Sequence, residues 1–144
     1  MHIEKEIKIN APIDKVWNIF IEIENWKDWA GCVKSAKWLS EDKWNIGSRF
    51  NQVIKNSGIS GDFKSTVIIQ AVEEQHYVRW SGIRKLVRGI HSFKFETKGN
   101  ITKVVNYEIF EGILAPFVFI LAKKKFNSDF EQFLQGLKIE AEKK

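Results

Sequence analysis

A histidine and a glutamate are the residues of this chain best placed to do chemistry, because a tight turn predicts that they face each other. The turn, Gly99-Asn100, lies between two alternating runs and is typical of a two-residue β-hairpin. Such a hairpin pairs Lys98 with Ile101 and therefore sets His91 opposite Glu108. Together these two groups could move protons to or from a carbonyl compound.

The side chains that share this face of the hairpin combine apolar residues, three of them phenylalanines, with a small polar cluster. They are His91, Phe93, Phe95, Thr97, Thr102, Val104, Asn106, Glu108 and Phe110. A carboxylate among them needs a partner, because burying an unpaired charge is costly. Pairing with an imidazolium would meet that need, and we expect it to raise the pKa of His91 and lower that of Glu108. A structural ion pair and a ligand-recognition site both fit this pattern.

Other common kinds of site find little support in the sequence. The three histidines lack metal-ligand spacing, so no metal is expected. The nine glycines form no nucleotide-binding motif, so no cofactor is expected either. Cys32 is the only cysteine and has no neighbouring histidine, which predicts a buried thiol rather than a nucleophile. The absence of paired cysteines favours a cytoplasmic protein.

Length and composition predict one domain over residues 1–144. A content of 44% hydrophobic and 13% aromatic residues supplies a large core. The net charge of +5 comes from 23 basic and 18 acidic residues that are intermixed, as on a solvated surface. The longest apolar run, residues 113–122, is too short to cross a bilayer. We therefore expect no nucleic acid partner and no transmembrane segment, while transient contact with a membrane surface is compatible with the basic charge.

The elements that position the hairpin can be predicted from periodicity. Alternation predicts a strand over residues 1–10, and a spacing of three and four predicts a short helix over 13–20. Trp26 and Trp29 are three apart, which places both on one side of a second short helix or turn. Residues 33–112 form alternating runs separated by turn signals and predict about six antiparallel strands. Most of the six tryptophans are expected in the core.

The last element differs from the rest of the chain. Apolar residues recur every three or four positions and predict a long amphipathic helix from Pro116 to Glu142, about 40 Å in length. The order of elements gives an α+β fold in which this helix covers the sheet. Three apolar residues, Val105, Tyr107 and Ile109, fall on the opposite face of the sheet. They indicate either a weak oligomer contact or a bulge, so the chain is expected to be a monomer or a weak homodimer.

Several short motifs, in this order along nearly the whole chain, carry a family resemblance. They are Ala11-Pro12 with Val16-Trp17, Trp26-x-x-Trp29, Gly47, Trp80-x-Gly82, Gly89-x-His91-x-Phe93 and Glu108-x-Phe110-x-Gly112, followed by the terminal helix. With these the chain resembles the START-related SRPBCC superfamily, in its polyketide cyclase/dehydrase and lipid-transfer-like branch. The resemblance implies a helix-grip fold. In that fold a curved antiparallel sheet of about seven strands wraps a long C-terminal helix around an apolar cavity, and two short helices follow strand one.

The resemblance and the aromatic face together favour binding or transport of a small hydrophobic or amphiphilic, lipid-like or polycyclic ligand in that cavity. The predicted ligand-binding residues are Trp80, His91, Phe93, Phe95, Asn106, Glu108 and Phe110. Three basic residues, Arg84, Lys85 and Arg88, are predicted at the cavity rim, where they would suit an anionic head group. Two alternatives stay open. One is a cyclase/dehydratase-type enzyme that uses His91 and Glu108 for proton transfer, and the other is a co-chaperone-like module that uses the outer face of the sheet.

Overall fold

A computed structural model of the chain describes residues 1–58, 61–82 and 86–144. The strands are β1 (His2–Ile9), β2 (Val33–Trp38), β3 (Arg49–Gly58), β4 (Gly61–Glu73), β5 (Tyr77–Gly82), β6 (Arg88–Lys98) and β7 (Ile101–Glu111). The helices are α1 (Ile13–Ile21), α2 (Trp26–Trp29), which follows a short 3₁₀ turn, and α3 (Ala115–Ala141). The long helix therefore begins and ends one residue earlier than predicted.

The seven strands form one antiparallel sheet in the order β1-β7-β6-β5-β4-β3-β2. Register shifts interrupt the pairing of β2 with β3, of β3 with β4 and of β4 with β5. Such bulges bend strands, which helps the sheet to curl around α3. The sheet and the long helix make a helix grip, so the predicted fold is confirmed.

The β6–β7 hairpin has the predicted register. Gly99 has φ of 63°, a left-handed conformation that glycine adopts readily in such a turn. Lys98 pairs with Ile101 and His91 pairs with Glu108. The pairing runs without a shift from Arg88 to Lys98, so a bulge does not explain the outward apolar residues.

Those outward residues are half-buried on the convex face of the sheet. The ring of His2 packs on Tyr107, with centroids 5.3 Å apart. Val105 and Ile109 lie on the same face of β7, which β1 and β6 flank on either side. Side chains of the neighbouring strands, such as His2, therefore shield part of this surface from solvent.

Helix α1 fills one end of the space between the sheet and α3, which we call the closed end. It is defined by Val16, Trp17 and Phe20 of α1, all of them buried. Phe20 is fully buried, and its ring contacts Phe93 and Phe95 at centroid distances of 4.8 and 5.0 Å. Aromatic rings close together in this way give a densely packed core.

The C-terminal half of α3 is held tightly against α2. Trp26 and Trp29 both place their rings against Phe133, as expected of residues on one side of a short helix. A Cβ atom at Gly136 would lie 2.0 Å from the backbone oxygen of Trp29. Glycine is therefore required here, because no other residue lets α3 approach α2 so closely. Four of the six tryptophans, Trp17, Trp26, Trp38 and Trp80, are buried, as predicted.

Candidate functional site

A cavity of about 710 Å³ lies between the concave face of the sheet and the N-terminal half of α3. Its apolar lining includes Trp26, Val67, Trp80, Phe93, Phe110, Val118, Phe126, Phe130 and Phe133, and its polar lining includes Gln52, Ser65, His91, Asn106, Glu108 and Asp129. We call this part of the molecule the open end. Leu121 also lines the cavity and is 82% exposed, so the space reaches solvent there.

Four aromatic rings form the boundary between the two ends. Each of them lines the cavity and also contacts Phe20 of the closed end; they are Trp26, Trp80, Phe93 and Phe133. Beyond that boundary, α1 no longer lies between the sheet and α3. The cavity therefore begins where α1 no longer fills the space between the sheet and α3.

Six of the seven predicted ligand-binding residues line this cavity, namely Trp80, His91, Phe93, Asn106, Glu108 and Phe110. Phe95 does not. It lies two residues further along β6, where α1 covers the sheet, and its ring contacts Trp17 and Phe20 instead. Its inward direction was predicted correctly, but its place at the cavity was wrong, because alternation assigns a side chain to a face and not to the element covering that face.

His91 is held as a neutral imidazole at the centre of the site. Its ring stacks on Phe93 and Phe130, with centroids 4.9 and 5.0 Å away, and Nε2 is hydrogen-bonded to Asn106 Oδ1. Because an amide oxygen only accepts, this bond assigns the ring proton to Nε2 and leaves Nδ1 as an acceptor. Burial lowers the pKa of His91 from 6.5 to about 4, although the Asn106 hydrogen bond acts in the opposite direction.

Glu108 is a carboxyl group without a partner in residues 1–58, 61–82 and 86–144. It extends over Gly89, where a Cβ atom would lie 2.3 Å from Glu108 Oε2. Burial raises its pKa from 4.5 to about 8, so the group is largely protonated at neutral pH. Glu108 is half-buried because it borders the cavity.

The predicted ion pair between His91 and Glu108 is wrong. The two residues are cross-strand partners on the concave face, but the His91 ring hydrogen-bonds Asn106 and the Glu108 side chain lies over Gly89. Both pKa shifts are consequently opposite to the prediction. Removal from water favours the uncharged form of each group, and no opposite charge among the described residues compensates.

The predicted basic rim is also corrected in part. Arg84 and Lys85 lie outside the described residues. Arg88 is the first residue of β6 and faces the convex side, where it forms an ion pair with Glu111 at 2.8 Å. Its predicted place at the rim is wrong, because a strand residue three positions before His91 must point to the opposite face.

The predicted fold placed α3 beside the cavity, but the α3 residues that line it were not predicted. Val118, Ala122, Phe126 and Asp129 line it at spacings of three and four, which is the signal in the sequence that could have identified them. The carboxylate of Asp129 is buried and forms an ion pair with Lys125 at 2.6 Å.

Cys32 is a buried thiol at the wall of the cavity, as expected. Burial, reinforced by the carboxylate of Asp129, raises its pKa to about 12. No three His, Cys, Asp or Glu side chains in the described part of the chain lie close enough together to hold a metal ion. Among the same residues, no helix is long and apolar enough to cross a membrane.

A curled antiparallel sheet that grips one long helix around a cavity defines the START-like class of helix-grip proteins. The chain belongs to the family described as polyketide cyclase / dehydrase and lipid transport, whose model matches residues 1–142. It is therefore a member of the START-related SRPBCC superfamily. No curated protein is similar enough in sequence to count as a match.

Several solved structures share this fold at low sequence identity. TTHA0849 from Thermus thermophilus superposes with a TM-score of 0.80 at 18% identity, over 98% of this chain and 97% of that one. A START superfamily protein from Mycobacterium smegmatis gives 0.76 at 14% identity, over 98% and 97% of the two chains. The Zhui aromatase/cyclase from a Streptomyces species gives 0.75 at 13% identity, over 99% and 93%. These similarities establish the fold.

Proposed function

We propose that this protein binds a small hydrophobic or amphiphilic molecule in the cavity between the sheet and α3. The observation that carries the proposal is a space of about 710 Å³ in a molecule whose other end is closely packed. Small-molecule sites usually have this size, with mostly aromatic walls and a few convergent polar groups. The family description includes lipid transport, which supports the same class of ligand.

The polar groups of the cavity favour a particular kind of ligand end. A protonated Glu108 can donate a hydrogen bond, and Nδ1 of His91 can accept one. Both groups are neutral near pH 7, so a carbonyl or hydroxyl oxygen suits this place better than a charged group. We therefore propose that the inner end of the ligand carries such an oxygen, while its apolar body contacts Trp80, Phe93 and Phe110.

A charged head group is expected to stay at the mouth of the cavity, because a second carboxylate next to Glu108 would be costly to bury. Of the predicted rim residues, Arg88 can no longer be counted as a contact for such a head, since it pairs with Glu111 on the convex face. Binding of a long-chain fatty acid and of its methyl ester, compared side by side, decides whether the ligand is anionic.

Native mass spectrometry of the purified protein, followed by solvent extraction, tests the proposal. We expect one bound small molecule per chain, which organic solvent releases. Ala122→Trp should remove the bound mass, because Ala122 lines the cavity and a tryptophan there would fill it. Ile46→Trp is the control, since Ile46 is 78% exposed on the β2–β3 loop, away from the cavity. A parent protein that carries no bound mass and takes up no apolar dye would contradict the proposal.

A second candidate function is proton transfer on a bound carbonyl compound, of the cyclase or dehydratase type. The observation that favours it is a pair of neighbouring groups whose pKa values are displaced in opposite directions, as in acid–base sites. In this role Glu108 would donate its proton to a carbonyl or leaving hydroxyl oxygen, and Nδ1 of His91 would accept one from carbon. The similar Zhui structure is an aromatase/cyclase, which supports testing this class.

Glu108→Gln distinguishes the two functions. The amide keeps the size of the side chain and can still donate a hydrogen bond, but it cannot transfer a proton. A binding protein should keep most of its affinity in this variant. An enzyme should keep binding and lose turnover by about a hundredfold or more, as is usual for removal of a general acid.

A further inference from the structure

The beginning of α3 exposes an unusual amount of apolar surface. Ile113, Phe117, Ile120 and Leu121 are 82%, 67%, 77% and 82% exposed, and Leu86 and Leu114 beside them are exposed as well. The backbone N–H of Leu114 donates to the Leu86 carbonyl, which joins these residues into one surface. We call these six residues the apolar patch. Contiguous exposed patches of this kind mark interaction sites.

The charges that follow the apolar patch along α3 are positive, and Glu111, the acidic residue just before the patch, is paired with Arg88. Residues 112–128 contain three lysines, Lys123, Lys124 and Lys125, and no acidic residue. Lys125 pairs with Asp129, whereas Lys123 and Lys124 are exposed and form no ion pair within the described part of the chain. The patch is therefore bordered by cationic groups that are available to an anionic surface.

We propose that the apolar patch and these two lysines dock the protein on an anionic lipid bilayer. Seven residues separate Phe117 from Lys124, which is about 10 Å along the helix axis. Interfacial helices bury their apolar residues about 5–10 Å deep, at the boundary of head groups and acyl chains. If the beginning of α3 enters the bilayer to that depth, Lys123 and Lys124 lie at the level of the phosphates.

A bilayer suits this surface better than a second copy of the chain. A symmetric dimer formed through the patch would gather Lys123 and Lys124 of both copies at one interface, where residues 112–128 offer no acidic partner. Anionic head groups would attract the same lysines. The patch also adjoins the mouth of the cavity, since Leu121 belongs to both. Docking would thus bring the cavity against the lipid, but the proposal does not depend on what the cavity holds.

Co-sedimentation with vesicles tests the proposal. Vesicles of phosphatidylcholine alone are compared with vesicles of equal parts phosphatidylcholine and phosphatidylglycerol, at low and high salt. We expect the parent to bind the anionic vesicles, more weakly at high salt. Lys123→Gln with Lys124→Gln should weaken that binding about 30-fold, since each lysine near the surface contributes about one kcal/mol. The triple variant Phe117→Ser, Ile120→Ser and Leu121→Ser should lose about tenfold or more.

Ile46→Ser is the matched control, because Ile46 is as exposed as Ile120 of the apolar patch and lies in the loop between β2 and β3, not on α3. It should bind vesicles like the parent. Circular dichroism checks the fold of every variant. The lysine pair decides the case if the triple variant misfolds, because both lysines are exposed and their replacement removes only the contact of Lys123 with the Phe119 ring. The proposal is overturned if the parent protein binds neither kind of vesicle. It is also overturned if Ile46→Ser loses as much vesicle binding as the triple variant. A third outcome is that sedimentation shows the parent to be a dimer and the triple variant a monomer, and that neither binds vesicles. That result would assign the patch to self-association and would also overturn the proposal.

Dye uptake separates this proposal from the proposed function. The double variant Lys123→Gln with Lys124→Gln should still take up an apolar dye, because neither lysine lines the cavity. Vesicle binding without dye uptake would leave the docking surface standing and remove the cavity ligand. Dye uptake without vesicle binding would support a ligand in the cavity and overturn the docking surface.

Discussion

The closed end and the open end of the grip lie between the same sheet and the same helix, yet only one of them is filled. At the closed end, α1 inserts Trp17 and Phe20 against Phe95, and the rings meet at contact distance. At the open end, the same strands face α3 across a cavity of about 710 Å³. The difference lies in the short helices, which end before they reach this part of the sheet.

This comparison shows that stability and binding are divided along the length of the molecule. Aromatic residues at the closed end contact protein atoms on all sides, whereas side chains that line the cavity have protein neighbours on one side only. The open end keeps two ionisable groups neutral at the cavity wall, which costs stability and creates a polar site. Changes at the two ends should therefore affect different measurements.

Truncation at the closed end should have the largest effect. Phe20→Ala removes a fully buried ring and is expected to lower the free energy of unfolding by about 3–5 kcal/mol. Phe126→Ala is the matched change at the open end, where the ring is half-buried and lines the cavity; it should cost less than about 1.5 kcal/mol. Urea denaturation measures both. Equal losses at the two positions would contradict the division.

The contact between α2 and α3 should be next in magnitude. Gly136→Ala places a methyl group against the backbone of Trp29, so we expect a loss of about 1–3 kcal/mol as α3 is displaced. Gly82→Ala is the control, since a Cβ atom there meets nothing within 4 Å. That change should alter stability by less than about 0.5 kcal/mol. A neutral Gly136→Ala would mean that α3 is not held where the structure places it.

The open end should make stability depend on pH. Between pH 6.5 and 8 the unfolded chain has Glu108 ionised, whereas the folded chain holds it protonated until the pH approaches its pKa of about 8. The folded His91 is neutral, and the unfolded imidazole loses about half a proton over this window, which offsets part of the effect. On balance the folded state binds more protons, so stability falls as pH rises, by about 1 kcal/mol over this window. Below pH 6.5, His91 opposes this trend, because the unfolded imidazole is protonated and the folded one is not.

Glu108→Gln should flatten the decline between pH 6.5 and 8 and make the protein more stable than the parent at pH 8. Glu111→Gln, an exposed carboxylate paired with Arg88, should retain the decline of the parent. Thermal melting at several pH values measures all three proteins. A parent curve that is flat over this range would show that Glu108 ionises normally in the folded protein.

Local signals in the sequence were sufficient for the architecture and for the face of each hairpin residue. The turn at Gly99-Asn100 set the register, and alternation then placed His91, Asn106 and Glu108 on the concave side. Local signals could not show that α1 covers Phe95 and leaves Phe110 at the cavity. Which strand residues α1 covers depends on where that helix ends over the sheet, and the strand's own sequence does not contain this information. Local signals also could not show that His91 turns to Asn106, since cross-strand pairing fixes the backbone and leaves each side chain a choice of partner.

The exposed apolar residues at the beginning of α3 were missed for a related reason. Periodicity predicted an amphipathic helix, and periodicity holds for its C-terminal half, where Phe133, Leu134 and Leu137 are buried. In the first turns, apolar residues such as Phe117 and Ile120 are exposed on the outer face as well. A run that is apolar on all sides suggests burial, and only the fold reveals that nothing in the described chain covers it.

Dye binding to two tryptophan variants tests the difference between the ends most directly. The neutral dye N-phenylnaphthylamine should bind the parent with one site per chain. Ala122→Trp, at the cavity wall, should weaken binding about tenfold or more and leave stability nearly unchanged. Phe95→Trp, in the closed end, should bind the dye like the parent and lose about 1–3 kcal/mol of stability through overpacking. Loss of dye binding in Phe95→Trp with full binding in Ala122→Trp would contradict the account.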